Sequence, residues 1–309
     1  MRNKKFKKYF HVTIILIIIL FNSIKYAQNN NSNKKVNTIG FMYDLFSGVD
    51  INDAQAGVKI WVSKIVKINN LFNKYNVKVK IYTSVNQVIY QMQQDNLSML
   101  SLTTQDYLNY GSKIGLEPAL VPSINNDAGA YYYLLVKKDK NYNSLKDLKN
   151  ITIGLTSQGS HQASVLWLDE LLAKNQLPKK EKYFKKIIYS EKESDLILNL
   201  FFDQTDACIV SNHDFQLMKE LNPQIGSQLK TILISPKYLW GIVCYTMLFD
   251  NKAKNLFYES ALKFQNLPSG KQLFYLLKID KLIPFKQEYL DSFKTLLKNY
   301  DRLVIRNKN

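Results

Sequence analysis

From Val36 onward the apolar positions switch repeatedly between two periods. Thr38-Ile-Gly-Phe-Met-Tyr43 is a short apolar run, closed by turn residues at Ser47-Gly48 and Asp50-Ile-Asn-Asp53. Between Ala56 and Tyr75, Val58, Trp61, Val62, Ile65, Ile68 and Phe72 recur at the spacing of one helix face. Val77-Lys-Val-Lys-Ile-Tyr82 then alternates over most of its length, the pattern of a half-buried strand. Val85 to Asn96 predicts a short helix, and Leu97-Ser-Met-Leu-Ser-Leu102 a buried strand. Strands separated by helices of this length imply parallel βαβ units and an α/β class.

The middle of the chain repeats that logic. Ala130-Tyr-Tyr-Tyr-Leu-Leu-Val136 reads as a strand. Ser144 can cap a short helix over Leu145 to Lys149, and Ile151-Thr-Ile-Gly-Leu155 follows as another strand. Beyond His161 a long helix carries Val165, Leu168, Leu171 and Leu172 on one face. Ile187-Ile-Tyr189 and Ala207-Cys-Ile-Val210 are strands flanking a helix at Ser194 to Phe202. Thr231-Ile-Leu-Ile234 and Gly241-Ile-Val-Cys-Tyr-Thr-Met247 are strands on either side of Pro236. Everything from Asn251 is helical in pattern, with breaks near Pro268-Ser-Gly270 and Pro284.

Upstream of Val36 the pattern is different. Arg2, Lys4, Lys5, Lys7 and Lys8 precede an apolar run from Val12 to Phe21. That is the layout of a secretory signal, and the run is shorter than the roughly 20 apolar residues that span a bilayer. Ala27 is the expected last residue of the signal. Lys25 stands where a small residue is preferred, so an uncleaved anchor is the alternative. No Cys lies near the end of the run, which argues against a lipid anchor. Residues 1–27 are therefore assigned to the signal and 28–35, a polar stretch, to a linker.

Composition changes this picture only slightly. At 46% hydrophobic and 22% charged the chain can bury real cores. The net charge of +17 is carried by dispersed lysines, some of them in the signal; Arg2, Arg302 and Arg306 are the arginines. Nucleic-acid binding calls for clustered basic stripes, with Arg to read guanine, so no nucleic-acid partner is expected. Cys208 and Cys244 sit in apolar strand-like runs whose spacing matches no disulfide framework and no metal motif. Buried thiols are the favoured reading and a disulfide in an oxidising compartment the other. No cofactor and no metal is expected.

One stretch carries candidate chemistry. Thr156-Ser157-Gln158-Gly159-Ser160-His161 joins a core strand to a helix. Such a turn offers backbone N–H groups, hydroxyls and the positive end of a helix dipole where an anion would sit. Gly159 would let the backbone approach closely. The other reading is an ordinary N-cap by Ser157 or Ser160.

These pieces recur in a known order: Ile39-Gly-Phe, Leu100-Ser-Leu-Thr-Thr-Gln-Asp-Tyr107, Tyr131 to Val136, Ser144-Leu-Lys-Asp-Leu-Lys, Thr156 to His161, Asp203-Gln-Thr-Asp-Ala-Cys-Ile-Val210 and Ile234-Ser-Pro236. In them the chain resembles the phosphonate/phosphite-type periplasmic substrate-binding proteins of ABC transporters, over nearly its whole length beyond the signal. The resemblance implies a two-lobed type II periplasmic-binding fold, α/β in class, each lobe a mostly parallel sheet flanked by helices. Two strands would cross between the lobes, Tyr131 to Val136 outward and roughly Pro236 to Met247 on return. Lobe one would comprise 36–129 together with 236–309 and its C-terminal helices; lobe two would comprise 130–235. The implied ligand contacts are Tyr43, Phe46, Thr103, Thr104 and Tyr107 from lobe one. From lobe two they are Ser157, Gly159, Ser160, His161, Ser211 and Asn212. The implied ligand is a small anionic solute, phosphonate-, phosphite- or phosphate-like. The implied partner is an ABC permease in the inner membrane, served by a periplasmic monomer.

The chain departs from the family pattern in three places. The turn reads Ser-Gln-Gly-Ser-His where Ser-Thr-Ser-Gly is usual, Lys192 or Glu193 replaces a loop histidine, and Ser211 replaces an acid. No arginine lies between Arg2 and Arg302, which removes a bidentate guanidinium clamp. Any anion would be held by N–H groups, hydroxyls, His161 or a lysine. Enzymatic function is disfavoured. The histidines are His11, His161 and His213, Ser160 and His161 are adjacent, and no Gly-x-Ser-x-Gly elbow or zinc spacing occurs. The remaining alternatives are an extracytoplasmic receptor that reports to a membrane histidine kinase, and a binder of a non-phosphorus solute.

Overall fold

The computed structural model describes residues 36–46, 50–68, 76–94, 97–157, 162–247, 251–276 and 279–305. The expected signal and linker, and the turn residues Gly159, Ser160 and His161, lie outside the described residues. The first apolar run forms β1 (Val36–Met42) and ends in a 3-10 turn at Tyr43–Phe46. Then come helix α1 (Ile51–Ile68), β2 (Asn76–Tyr82), α2 (Val85–Gln93) and β3 (Leu97–Thr103). Ser84 caps α2 by accepting from the Gln87 N–H. β4 (Glu117–Ile124) and β5 (Asp127–Ala128) precede the first crossing.

Beyond it lie β6 (Tyr132–Lys137), β7 (Thr152–Thr156), α3 (Gln162–Lys174), β8 (Lys186–Ser190) and α4 (Glu193–Phe201). Next are β9 (Ala207–Ser211), α5 (Asn212–Leu221), α6 (Pro223–Gln228) and β10 (Leu229–Ile234). After the return crossing come β11 (Gly241–Tyr245), α7 (Asn251–Phe264), α8 (Pro268–Leu276), β12 (Lys281–Pro284) and α9 (Asp291–Tyr300).

Two sheets result. The first has the order β12-β4-β11-β3-β1-β2, with β5 paired to β4; the second has the order β10-β6-β9-β7-β8. β1 pairs in parallel with β2 and β3, and β7 in parallel with β8 and β9. The sheets are mixed rather than mostly parallel, because the strands entered through the crossings run against their neighbours. β6 is antiparallel to β9 and β10, and β11 to β3 and β4. β3, β9 and β11 are buried along their full length, which explains why they read as near-continuous apolar runs.

Side chains of alternating parity fill the two faces of the second sheet. Leu134, Val136, Ile153 and Ile209 pack with α3, while Leu135, Cys208 and Val210 pack with α4. In the first sheet Phe41 meets Trp61 of α1 at 5.6 Å between ring centroids, and Phe257 of α7 lies in the same core. On its opposite face Leu97, Leu102 and Cys244 pack with Val88 of α2.

Two expected elements are corrected. The pattern between Leu102 and Ala130 predicts no element, yet β4 lies there; Pro118 and Pro122 disguise it. The stretch after Asn251 is not all helical, because Lys281–Pro284 pairs with β4 as an edge strand. The last helix packs on the second sheet. Phe293 and Leu296 of α9 bury into the core of the second sheet beside Leu166 and Trp167, and Asn299 donates to Glu170 of α3 at 2.5 Å.

The cysteines lie in different sheets, Cys208 in β9 and Cys244 in β11, both free and both wholly buried. Burial pushes both thiols up from the usual range. Native protein is therefore expected to stay silent towards a thiol reagent such as Ellman's. The denatured, unreduced chain should release both thiols. A native reaction within minutes, or silence after denaturation, would contradict this placement.

Candidate ligand-binding site

The two sheets meet at short crossings, not along whole strands. Ala130 and Tyr238 exchange backbone hydrogen bonds at 2.9 Å in both directions. Ser235 Oγ accepts from the Tyr132 N–H at 2.8 Å, and the Ser235 N–H donates to the Tyr132 carbonyl at 2.9 Å. Strand register aims the strand ends at this point. Thr103, the last residue of β3, is paired with Gly241 just past the return crossing, and Ser211, the last of β9, with Tyr132 just past the outward one. The parallel partners β1 and β7 end on the same sides. The carboxyl ends of both sheets thus flank one gap, where ligands of open α/β sheets bind.

The walls of that gap are tied together at the crossings. The Thr104 N–H donates to the Trp240 carbonyl at 3.2 Å. The Asn212 N–H donates to the Tyr131 carbonyl at 2.8 Å, and Asn212 Oδ1 accepts from the Tyr131 N–H at 3.0 Å. His213 Nε2 lies 3.2 Å from the Gly129 carbonyl oxygen, and its ring sits 5.5 Å from that of Trp240. Lys237 pairs with Asp127 and lies over the Tyr131 ring at 5.2 Å.

Each lobe closes its central strand with the same local device. Thr103 Oγ1 accepts from the Asp106 N–H, and Ser211 Oγ accepts from the Asp214 N–H, both at 3.1 Å. A hydroxyl followed three residues later by an acid is a capping arrangement. Burial raises Asp106, the hydrogen bond from Thr103 lowers it and the charge of Asp44 raises it, with a net upward shift. Thr104 Oγ1, Gln105 Oε1, Asp106 Oδ2 and Trp240 Nε1 are buried without a protein hydrogen-bond partner among the described residues. Each such group left unmade costs about 1–3 kcal/mol. Trp61 Nε1, Tyr82 OH and Thr205 Oγ1 are buried in the same way elsewhere in the fold.

Thr103, Thr104, Ser211 and Asn212 are brought to this gap by the pairings above. Ser157 follows the end of β7, and its N–H donates to the Ser190 carbonyl at 3.0 Å. Tyr43 is half-buried in the turn after β1. Phe46 is a core residue, 6.1 Å from Phe41 between ring centroids, and Tyr107 is buried under the first sheet with Leu102 and Leu116. Gly159, Ser160 and His161 lie outside the described residues. Trp240, Asp106, Asp214 and His213 are not among the ligand contacts expected from the sequence. The Thr-x-x-Asp and Ser-x-x-Asp spacings were the available signal for the two acids.

Two mixed α/β sheets joined by two hydrogen-bonded crossings, with strand ends facing one gap, define a two-lobed solute-binding protein. Residues 69–290 match the family model described as "ABC transporter, phosphonate, periplasmic substrate-binding protein", and the chain belongs to this family. Its members are extracytoplasmic substrate-binding components of ABC transporters. Among the described residues no helix is long and apolar enough to cross a membrane. The fold is shared with a binding-protein component of an ABC phosphonate transporter from Pseudomonas aeruginosa (TM-score 0.62, 17% identity, 88% of this chain and 89% of that one). It is also shared with PhnD1 from Prochlorococcus marinus in complex with methylphosphonate (TM-score 0.62, 16% identity, 87% and 100%). A third such structure is XAC2383 from Xanthomonas citri bound to chloride ion (TM-score 0.61, 11% identity, 88% and 99%). No curated protein matches the sequence.

Proposed function

We propose that this chain is exported by its N-terminal signal and captures a phosphonate, phosphite or phosphate in the gap between its lobes for a membrane permease, as a monomer and without chemistry on the ligand. The family match over residues 69–290 carries the reading. The lobes divide near 129/130 and 235/236, with α9 lying on lobe two. Two features support an oxyanion. Helix α5 begins directly after the end of β9, and α4 follows β8 after Glu191 and Lys192, an arrangement that would turn their N–H groups and positive dipole ends towards the gap. The turn from Ser157 to His161 precedes α3 in the same way along the chain. Thr103, Thr104 and Asn212 then close the site from the crossings, and Tyr43 flanks it.

A thermal-shift screen over phosphate, phosphite, methylphosphonate, sulfate and neutral solutes tests this. A ligand at 100 times its Kd adds about 2.7 kcal/mol, so at least one phosphorus oxyanion should raise the melting temperature clearly. Gly159→Val should then lower its affinity about tenfold or more, since roughly 1.4 kcal/mol suffices, and Ser160→Ala should do less. If only uncharged solutes stabilise the protein, the oxyanion assignment is wrong.

A further inference from the structure

Behind the second lobe's rim lies a pair of acids that the binding role alone does not call for. Glu193, the first residue of α4, is 2% exposed, and Asp214, in the first turn of α5, is 9% exposed. Between them stands Ser211, also 2% exposed. Its N–H donates to Glu193 Oε2 at 2.9 Å and its hydroxyl donates to the same oxygen at 2.5 Å, while its Oγ accepts from the Asp214 N–H. Glu193 and Asp214 are thus both buried around one serine, and two carboxyl groups so placed and so little hydrated do not both stay ionised.

We propose that Glu193 and Asp214 share a single proton, and that this bridge is the positioning device that fixes Ser211 and the start of α5 at the binding site. The next residue, Asn212, clasps Tyr131 of the outward crossing from both sides, so the bridge anchors the hinge as well as the rim. The binding half of this statement rests on the function proposed above; the proton-sharing half does not. The groups around the pair leave the proton in place. Burial, then the charge of Asp214, hold Glu193 well above the usual carboxyl range, against the bonds from Ser211. From β6 the buried Tyr132 phenol feels both acids, and from β9 the buried Cys208 thiol feels Glu193.

The folded chain holds a proton that the unfolded chain has released above about pH 4.3. Stability is therefore greatest below that range and falls as pH rises through the folded value. Glu193→Gln keeps a hydrogen-bonding side chain of the same shape and removes the titration; Asp214→Asn does the same from the other side. The ligand-free proteins would be melted from roughly pH 5 to 9, and the carboxyl band of each followed by infrared spectroscopy. Wild type should lose roughly 5 °C or more across that range, whereas Glu193→Gln should be nearly flat and should lack the protonated-carboxyl band. Titration with methylphosphonate should show wild-type affinity falling about threefold or more towards alkaline pH, with Glu193→Gln unaffected by pH. An unchanged alkaline decline in Glu193→Gln, or its persisting carboxyl band, would overturn the shared proton. If methylphosphonate binds none of the proteins, the oxyanion function fails while the melting curves still decide the proton. If it binds with no pH dependence despite a pH-dependent melt, the bridge does not position the site.

Discussion

Gly129→Ala is expected to lower the melting temperature by roughly 5–10 °C, the shift produced by about 2–4 kcal/mol in a chain of this size. Gly129 is the last residue before the outward crossing and has φ +87°. A non-glycine residue forced into that region costs about 1–3 kcal/mol by itself. Space adds to the cost. A Cβ there would overlap the Tyr238 carbonyl oxygen and lie 2.8 Å from its carbon and 3.0 Å from the Leu239 nitrogen. These are backbone atoms of the return crossing, so no side-chain rotation relieves the overlap. The Gly129 carbonyl also faces His213 Nε2, so displacement disturbs the second lobe's tie to the hinge. Differential scanning calorimetry of the purified variant gives the answer. Gly57, mid-helix with open space around its Cβ position, is the control: Gly57→Ala should be neutral or stabilising by up to about 1 kcal/mol. Were Gly129→Ala to melt with the control, the crossing would be looser than its geometry states.

How much of this was legible in the sequence follows from what each residue depends on. Local pattern suffices where one face or one turn decides the outcome. β2 alternates visibly, and β3, β9 and β11 read as apolar runs because both their faces are covered. The short helix after Ser144 is visible for the same reason: Asp147 reaches back to the N–H groups of Asn143 and Ser144 within one turn. What local pattern lacks is direction. β6 and β11 look like any other buried strand, and nothing in their composition says that they run against their neighbours. Prolines hid β4, since a ladder position without a donor reads as loop, although Pro122 and Pro118 take their places opposite Leu282 and Cys244. The site divides along the same line. Thr103, Thr104, Ser211 and Asn212 follow strands and could be read forward from them. The contacts of Trp240 with His213, and of Glu193 with Ser211, depend on which strands become neighbours, and Glu193 and Asp214 are single acids on separate helices until β8, β7 and β9 align.

The C-terminal helix shows the same limit with the largest energetic consequence. Its apolar stripe, Phe293, Leu296, Leu297 and Tyr300, announces a buried face but not which lobe receives it. The receiving face is lobe two's. Phe293, 3% exposed, packs edge-on against Tyr238 at 5.8 Å and shares a core with Leu166, Trp167 and Leu172 of α3. Because Tyr238 belongs to the return crossing, α9 clamps the hinge from outside while it completes the second core. Phe293→Ala should therefore cost about 3–5 kcal/mol, the usual result of emptying a buried aromatic site. Lys294→Ala, one residue on and exposed, should stay within about 0.5 kcal/mol of wild type. Limited proteolysis separates this from general weakening. A helix detached from α3 should be cut after Phe285, ahead of any cleavage within β1 or β2, and the remaining core should melt earlier than wild type. Phe293→Leu should recover most of the loss, because the site asks for apolar volume and not for an aromatic ring. If Phe293→Ala melts as wild type does and resists the protease equally, then α9 rests on lobe two without holding it, and the stability of the second core lies within residues 130–235 alone.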